Sequence, residues 1–163
     1  MLVVSNTSPV SNLAIVNHLH LLRQRYGRVI VPERVKLELD ALSHDAGKSR
    51  VQQAFADGWL VVQAPPDDKL SALYEQSVDP GEAHAIALAG YLKADKLIID
   101  DRIGRELARE HGVPVAGLLG ELLHAKRTGR LDCVKSVMKE LQTEARFFIR
   151  EDLRELILRE AGE

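Results

Sequence analysis

A chain of 163 residues, 45% of them apolar, is the size of one domain and long enough to bury a substantial core. Its single cysteine, Cys133, excludes an internal disulfide and a Cys-rich zinc site, and a formal net charge of −2 excludes a generally polycationic nucleic-acid binder. No apolar run approaches the ~20 residues of a membrane span and the N-terminus has no charged signal-peptide start, so the expectation is a cytoplasmic protein with no membrane partner.

The first element is a buried strand in "LVVS" (2–5), which the chain leaves through Asn6, Thr7 and Ser8 into Pro9, a residue suited to the first turn of a helix. One or two helices run from Pro9 to about Arg25, followed by a strand in "RVIV" (28–31) and a helix from Pro32 to Leu42. Helices near Lys48 to Ala56 and Asp67 to Ser77 flank a strand in "WLVV" (59–62). Pro80 to Leu92 and Arg102 to His111 are helices with Asp79 and Asp101 as N-caps, separated by the strand "KLII" (96–99). After a weaker strand in "PVAG" (114–117) the chain is helical to the end, broken near residues 128–130 and 146–148. Alternating strands and helices imply a parallel sheet covered on both faces, and a core built from Leu, Val, Ile and Ala suits it. The tail, residues 131–163, carries Val134, Val137, Met138, Leu141, Phe147, Phe148, Leu153, Leu156 and Ile157. It is expected to cover the sheet edge or to form a dimer contact.

Acidic residues stand where solvated charges need not be. Glu38 lies on the stripe Val35, Leu39, Leu42 and should point inward, unless it is a salt-bridged residue at the stripe edge. Glu82 heads the stripe Ile86, Ala89, with a capping box to Asp79 as its plain alternative. Asp100 and Asp101 end a buried strand; one can cap the next helix, and the other needs a cation or a basic neighbour such as Arg102 or Arg105. With Asn6 at the end of the first strand, these residues form a set of hard oxygen donors that favours Mg²⁺ or Mn²⁺ over zinc. An ion of this kind can activate water against a phosphodiester, so no protein nucleophile is needed. His84 is read as a packed or surface histidine, and His18 and His20 should diverge on a helix. An acidic pair after a late strand, not the first, argues against a phosphoryl receiver domain.

The blocks "VVSNTSPVSNLA", "VIVPERVKLEL", "DPGEAHAIALA", "LIIDDRIGRELAREHGVPVAGLLGELLHAKRTG" and the tail "FFIREDLRELILREAGE" resemble a PIN domain over nearly the whole chain. Within that family they resemble the subgroup known as a domain of unknown function. The resemblance implies one domain over residues 1–163, a three-layer α/β/α sandwich with a central parallel sheet and an all-helical C-terminal extension. It implies Mg²⁺ or Mn²⁺ and endonucleolytic cleavage of RNA that leaves a 5′-phosphate, with a homodimer and a small antitoxin protein as partners. The family's acidic positions fall on Asn6, Glu38, Glu82 and Asp100, with Asp101 adjacent, and Thr7 or Ser8 would offer a hydroxyl to substrate. Because Asn6 is an amide, the expected site is weak. The alternative is a module that binds RNA or a protein partner without cutting.

Arg102, Arg105 and Arg109 fall on one helical face beside Asp100, where they could hold RNA phosphates. Pairing with Glu106 is the competing role, expected more for Arg109 than for Arg102. Lys126, Arg127 and Arg130 form a second basic cluster, read as a solvated helix end.

Overall fold

Five short strands lie at the centre of the computed structural model, which describes residues 1–163. They are β1 (Val3–Ser5), β2 (Val29–Val31), β3 (Leu60–Val62), β4 (Lys96–Ile98) and β5 (Val115–Ala116), all parallel, in the order β3-β2-β1-β4-β5. Around them run α1 (Thr7–Ile15), α2 (His20–Tyr26), α3 (Glu33–Asp40), α4 (Asp45–Ala56), α5 (Lys69–Tyr74), α6 (Pro80–Leu92) and α7 (Arg102–Glu110). The chain ends in α8 (Leu118–Arg127), α9 (Val134–Thr143) and α10 (Glu151–Ala161).

Alternation along the strands divides the interior in two. Val3, Val29, Val31 and Ile98 enter one core with residues of α1, α2, α4, α8 and α9. Val4, Ile30, Leu97 and Ile99 enter the other, against α6 and α7. The molecule is therefore the three-layer α/β/α sandwich the sequence implied. Burial on both faces explains why the strands read as unbroken apolar runs and not as alternating ones.

Two local details differ from the sequence reading. The first helix starts at Thr7, which places Pro9 third in it; a missing N–H is still harmless there, because the first-turn N–H groups have no intrahelical acceptor. The helix then breaks at Asn17, whose φ is +60°, and the His18 N–H returns to the Leu13 carbonyl at 2.8 Å. That turn brings the His18 and His20 rings to 5.8 Å between centroids instead of letting them diverge.

The tail packs onto the helical layer and not onto the sheet edge. Val134, Val137, Met138 and Leu141 of α9 and Ile157 of α10 are buried in the larger core, against α1 and α8, while Leu156 and Phe148 stay exposed. Its end is pinned electrostatically. The Glu163 carboxylate accepts from the Val134 N–H (2.7 Å), the Lys135 N–H (3.1 Å) and the Cys133 thiol (3.1 Å) at the start of α9, with Lys126 Nζ at 3.4 Å. Burial acts to raise its pKa, but these donors outweigh it and bring the carboxyl down to about 2. A depressed carboxyl pKa contributes stability that is present above the unfolded value and lost as pH falls toward the folded one. Glu163→Gln should therefore lower the melting temperature by about 2–4 °C at pH 7, the usual scale of a lost helix cap. In thermal denaturation followed by circular dichroism, that gap should close as pH falls from about 4.5 to about 2.

Candidate active site

The strand order reverses between β1 and β4, since the chain moves from β1 toward β2 on one side and from β4 toward β5 on the other. Chains leaving two such strands part in opposite directions and open a crevice at their carboxyl ends, the usual ligand site of an open parallel sheet. Asn6 follows β1 and Asp100 follows β4, at the carboxyl ends of these two neighbouring strands. The Asn6 N–H donates to the Ile98 carbonyl at 3.0 Å, continuing the β1–β4 ladder, and Asn6 takes the N-cap position of α1 without capping it. Its side chain is 5% exposed, and Oδ1 is buried with no donor. Asp100 follows β4; its Oδ1 accepts from the Leu118 N–H at 2.8 Å at the start of α8, and its Oδ2 is likewise buried with no donor. An orphaned buried acceptor costs on the order of 1–3 kcal/mol, so two on adjoining strands mark a place that the fold leaves for something else. Burial raises the Asp100 carboxyl to about 6, helped by Glu121 and opposed by the Leu118 N–H and the Arg105 guanidinium.

The other candidate carboxylates come from α3, the first turn of α6 and the start of α7. Glu38 combines the two readings: its side chain is 32% exposed and in an i,i+4 ion pair, with Arg34 Nε at 3.8 Å from Oε1, while the Thr7 hydroxyl donates to its Oε2. Its carboxylate lies against Gly81 in the first turn of α6, so closely that a Cβ at 81 would fall 2.8 Å from Oε1 and closer still to Oε2. Glu82 follows directly. Asp79 caps α6 by accepting from the Glu82 N–H at 2.9 Å, which is half a capping box. Burial, then the charges of Asp79 and Asp101, lift the Glu82 carboxyl to about 8. Asp101 is exposed and caps α7 through the Gly104 N–H at 2.8 Å, so it is Asp101 that caps and Asp100 that turns inward.

The expected single cluster is not assembled as such. No group of three or more Asp, Glu, His or Cys side chains is placed where it could hold a metal ion. Several of the carboxylates have protein donors instead, Thr7 for Glu38, Gly104 for Asp101 and Leu118 for Asp100. Among these candidates the buried oxygens without a protein donor are Asn6 Oδ1 and Asp100 Oδ2.

The hydroxyls and arginines are also more committed than their positions suggested. Thr7 serves Glu38, and Ser8 Oγ accepts from Asn12 Nδ2 at 3.0 Å within α1. Arg105 folds back to donate to the Ile99 carbonyl at 3.0 Å and lies beside Gly117, where a Cβ would come 2.8 Å from Nη1 and 3.2 Å from Asp100 Oδ1. The pairing expected along α7 is reversed, because Arg102 Nε meets Glu106 at 3.2 Å whereas Arg109 forms no ion pair. His84 takes its plain role, 3.2 Å from Glu75. Sequence reasoning overlooked Glu121, which is 4% exposed and accepts from Arg25 Nη1 (2.7 Å) and the Tyr26 hydroxyl (2.6 Å). The spacing that drew attention to Glu38 applied there too, since Glu121 follows Leu118 by three residues and precedes Ala125 by four.

The fold and the site define an α/β protein with buried, unsatisfied oxygen acceptors at a topological switch point and with arginines beside Asp100. A family profile described as the PIN domain matches residues 2–163, and the chain belongs to the PIN domain family. PIN domains are generally nucleases and typically use divalent metal ions. Comparison with curated proteins and with solved structures gives no match. The residues present fit such an ion, because the orphaned Asn6 Oδ1 and Asp100 Oδ2 are hard oxygen donors.

A raised carboxyl pKa has a consequence for the metal-free protein. The folded state prefers Glu82 protonated, so ionising it opposes folding, and this cost grows from the unfolded value near 4.3 to about 8. Metal-free Glu82→Gln should therefore melt above the wild type at pH 8.5, and the difference should vanish near pH 4 in calorimetric scans.

Proposed function

We propose that this protein is a metal-dependent endoribonuclease that hydrolyses RNA phosphodiesters, acting as the toxin of a toxin–antitoxin pair. The observation that carries the reading is the pair of orphaned oxygens, Asn6 Oδ1 and Asp100 Oδ2, at the carboxyl ends of β1 and β4. Asp100 and Asn6 would hold Mg²⁺ or Mn²⁺, with Glu38, Glu82 and Asp101 in reach of the same crevice. The bound ion supplies Lewis-acid polarisation of the phosphoryl group and lowers the pKa of an attacking water. Thr7 keeps the Glu38 carboxylate oriented, and the close approach at Gly81 fixes how far α6 stands from it. Arg105, held against Ile99, and Arg102 and Arg109 on the same face of α7 give the RNA phosphates a positive border. Dimerisation and capture by a small antitoxin belong to the same reading.

Asn6 supports a second reading. An amide brings no charge to the ion, and one unit charge a few Å away is worth on the order of a few kcal/mol at an effective dielectric near 20. A module that binds RNA or a protein without cutting would tolerate that loss. The two readings separate in one assay. In single-turnover cleavage with Mn²⁺, Asp100→Asn should lose at least about 100-fold while keeping its fold, and Asn6→Asp should cut faster than the wild type. If neither the wild type nor Asn6→Asp cuts any RNA offered, the non-cutting module is correct.

A further inference from the structure

Asp100 opens onto a cleft of two lobes. One, of about 510 Å³, is bordered by Arg102, Arg105, Arg109 and Arg150; the other, of about 540 Å³, is bordered by apolar side chains including Leu119, Phe147 and Ile157. Asp100, Arg105, Phe148 and Leu153 belong to both lobes, so Phe148 stands on the ridge between a positive surface and an apolar one.

Its exposure is built in. After α9 the chain turns at Arg146, whose φ is +53°, and reaches α10 through residues 147–150, where exposure alternates and Arg150 is extended. Ile149 is 6% exposed and Phe147 packs on the larger core, whereas Phe148 is 82% exposed. In an extended segment neighbouring side chains point oppositely, so anchoring 147 and 149 inward holds 148 outward, on the same side as Arg150. An aromatic ring this exposed gains nothing for folding. Placed beside four arginines and the end of β4, it has the two parts of a single-strand site: a face on which a base can stack and cations for the phosphates on either side.

We propose that Phe148 is a nucleobase-stacking platform, and that the 147–150 segment with Arg109 and Arg150 forms a subsite for single-stranded RNA running out of the Asp100 crevice. The occupant follows from charge complementarity. Four arginines face Asp100 and Glu106 as the acids of the basic lobe, with the exposed Asp152 3.3 Å from Arg150 at its rim, an excess of positive charge that suits a polyanion with planar bases better than an apolar peptide or a second copy of a chain whose net charge is −2. The inference rests on the ribonuclease reading for the identity of the polymer but not for its cleavage.

The test uses the full chain and a fluorescein-labelled ten-nucleotide single-stranded RNA, with its duplex as control. Binding is followed by anisotropy in EDTA, where no metal-dependent cleavage interferes. The wild type should prefer the single strand. Phe148→Ala should weaken it by about 5- to 100-fold, the span reported by loss of one stacked base, with little effect on the duplex. Phe148→Trp should retain binding, and its added emission should be quenched by saturating oligonucleotide, whereas the buried Trp59 of the wild type should respond little. Wild-type affinity in Phe148→Ala, an unquenched Phe148→Trp, or no wild-type binding at all would overturn the subsite. Emission that changes with protein concentration alone would assign the ridge to a second copy and overturn it as well. Cleavage assays in Mn²⁺ keep the two claims apart. Binding that depends on Phe148 without cleavage removes the ribonuclease and leaves the subsite. Cleavage with unchanged KM and kcat in Phe148→Ala does the reverse.

Discussion

The reversal of strand order between β1 and β4 is the constraint from which the site follows. A parallel sheet whose strands are buried on both faces must satisfy its backbone laterally, and only beyond the carboxyl ends, where the two chains part, does room open for polar side chains. Asn6 and Asp100 occupy that room because each follows its strand by one or two residues, not because any local preference draws them together. The cost of two unpaired buried oxygens is borne by the cores on either side, which pack Val3 and Ile98 one way and Val4 and Leu97 the other.

Charge is arranged around the crevice in two opposed fields. Glu38, Glu82, Asp100 and Asp101 supply the negative one; burial raises the Glu82 and Asp100 carboxyls, with Asp79 and Asp101 adding to the first and Glu121 to the second. The arginines of α7 and the tail supply the positive one, although Arg105 alone among them is half-buried and tied to the backbone at Ile99. Glu121 belongs to neither. Paired with Arg25 and bonded to Tyr26, it ties α2 to α8, and its charge reaches Asp100 from beneath. An Asn at position 6 lightens the negative field by one charge while keeping an oxygen at the crevice.

Much of this was legible in the sequence because it is local. The five apolar runs are strands, Asp79 and Asp101 cap the helices expected of them, and Glu38 meets both Arg34 and Thr7 from the edge of its stripe. The residues that escaped did so because long-range packing decides them. Beside the capping Asp101, the partner that Asp100 would find was not local, since its carboxylate accepts from the Leu118 N–H, eighteen residues on. Glu106 lies four residues after Arg102 and three before Arg109, so spacing on α7 allowed either partner, and the structure pairs it with Arg102. Phe148 has no local mark either. Its neighbours Phe147 and Ile149 are equally apolar, and which of the three faces out depends on how α9 and α10 seat the segment. Glu121 is the exception, since its place on the Leu118, Leu122 and Ala125 stripe was visible.

We propose that the crevice holds a divalent cation through Asn6, Asp100 and Glu82, of which Glu82 keeps its proton near neutral pH until an ion binds. Proton release on Mn²⁺ binding tests it most directly, measured at pH 7 by titration calorimetry in buffers of different ionisation enthalpy. With Glu82 near 8 and Asp100 near 6, binding should release about one proton per ion, falling toward none at pH 9. Asp100→Asn should abolish the binding itself. Mn²⁺ that binds with no proton released at pH 7, and equally well to Asp100→Asn, would contradict the account.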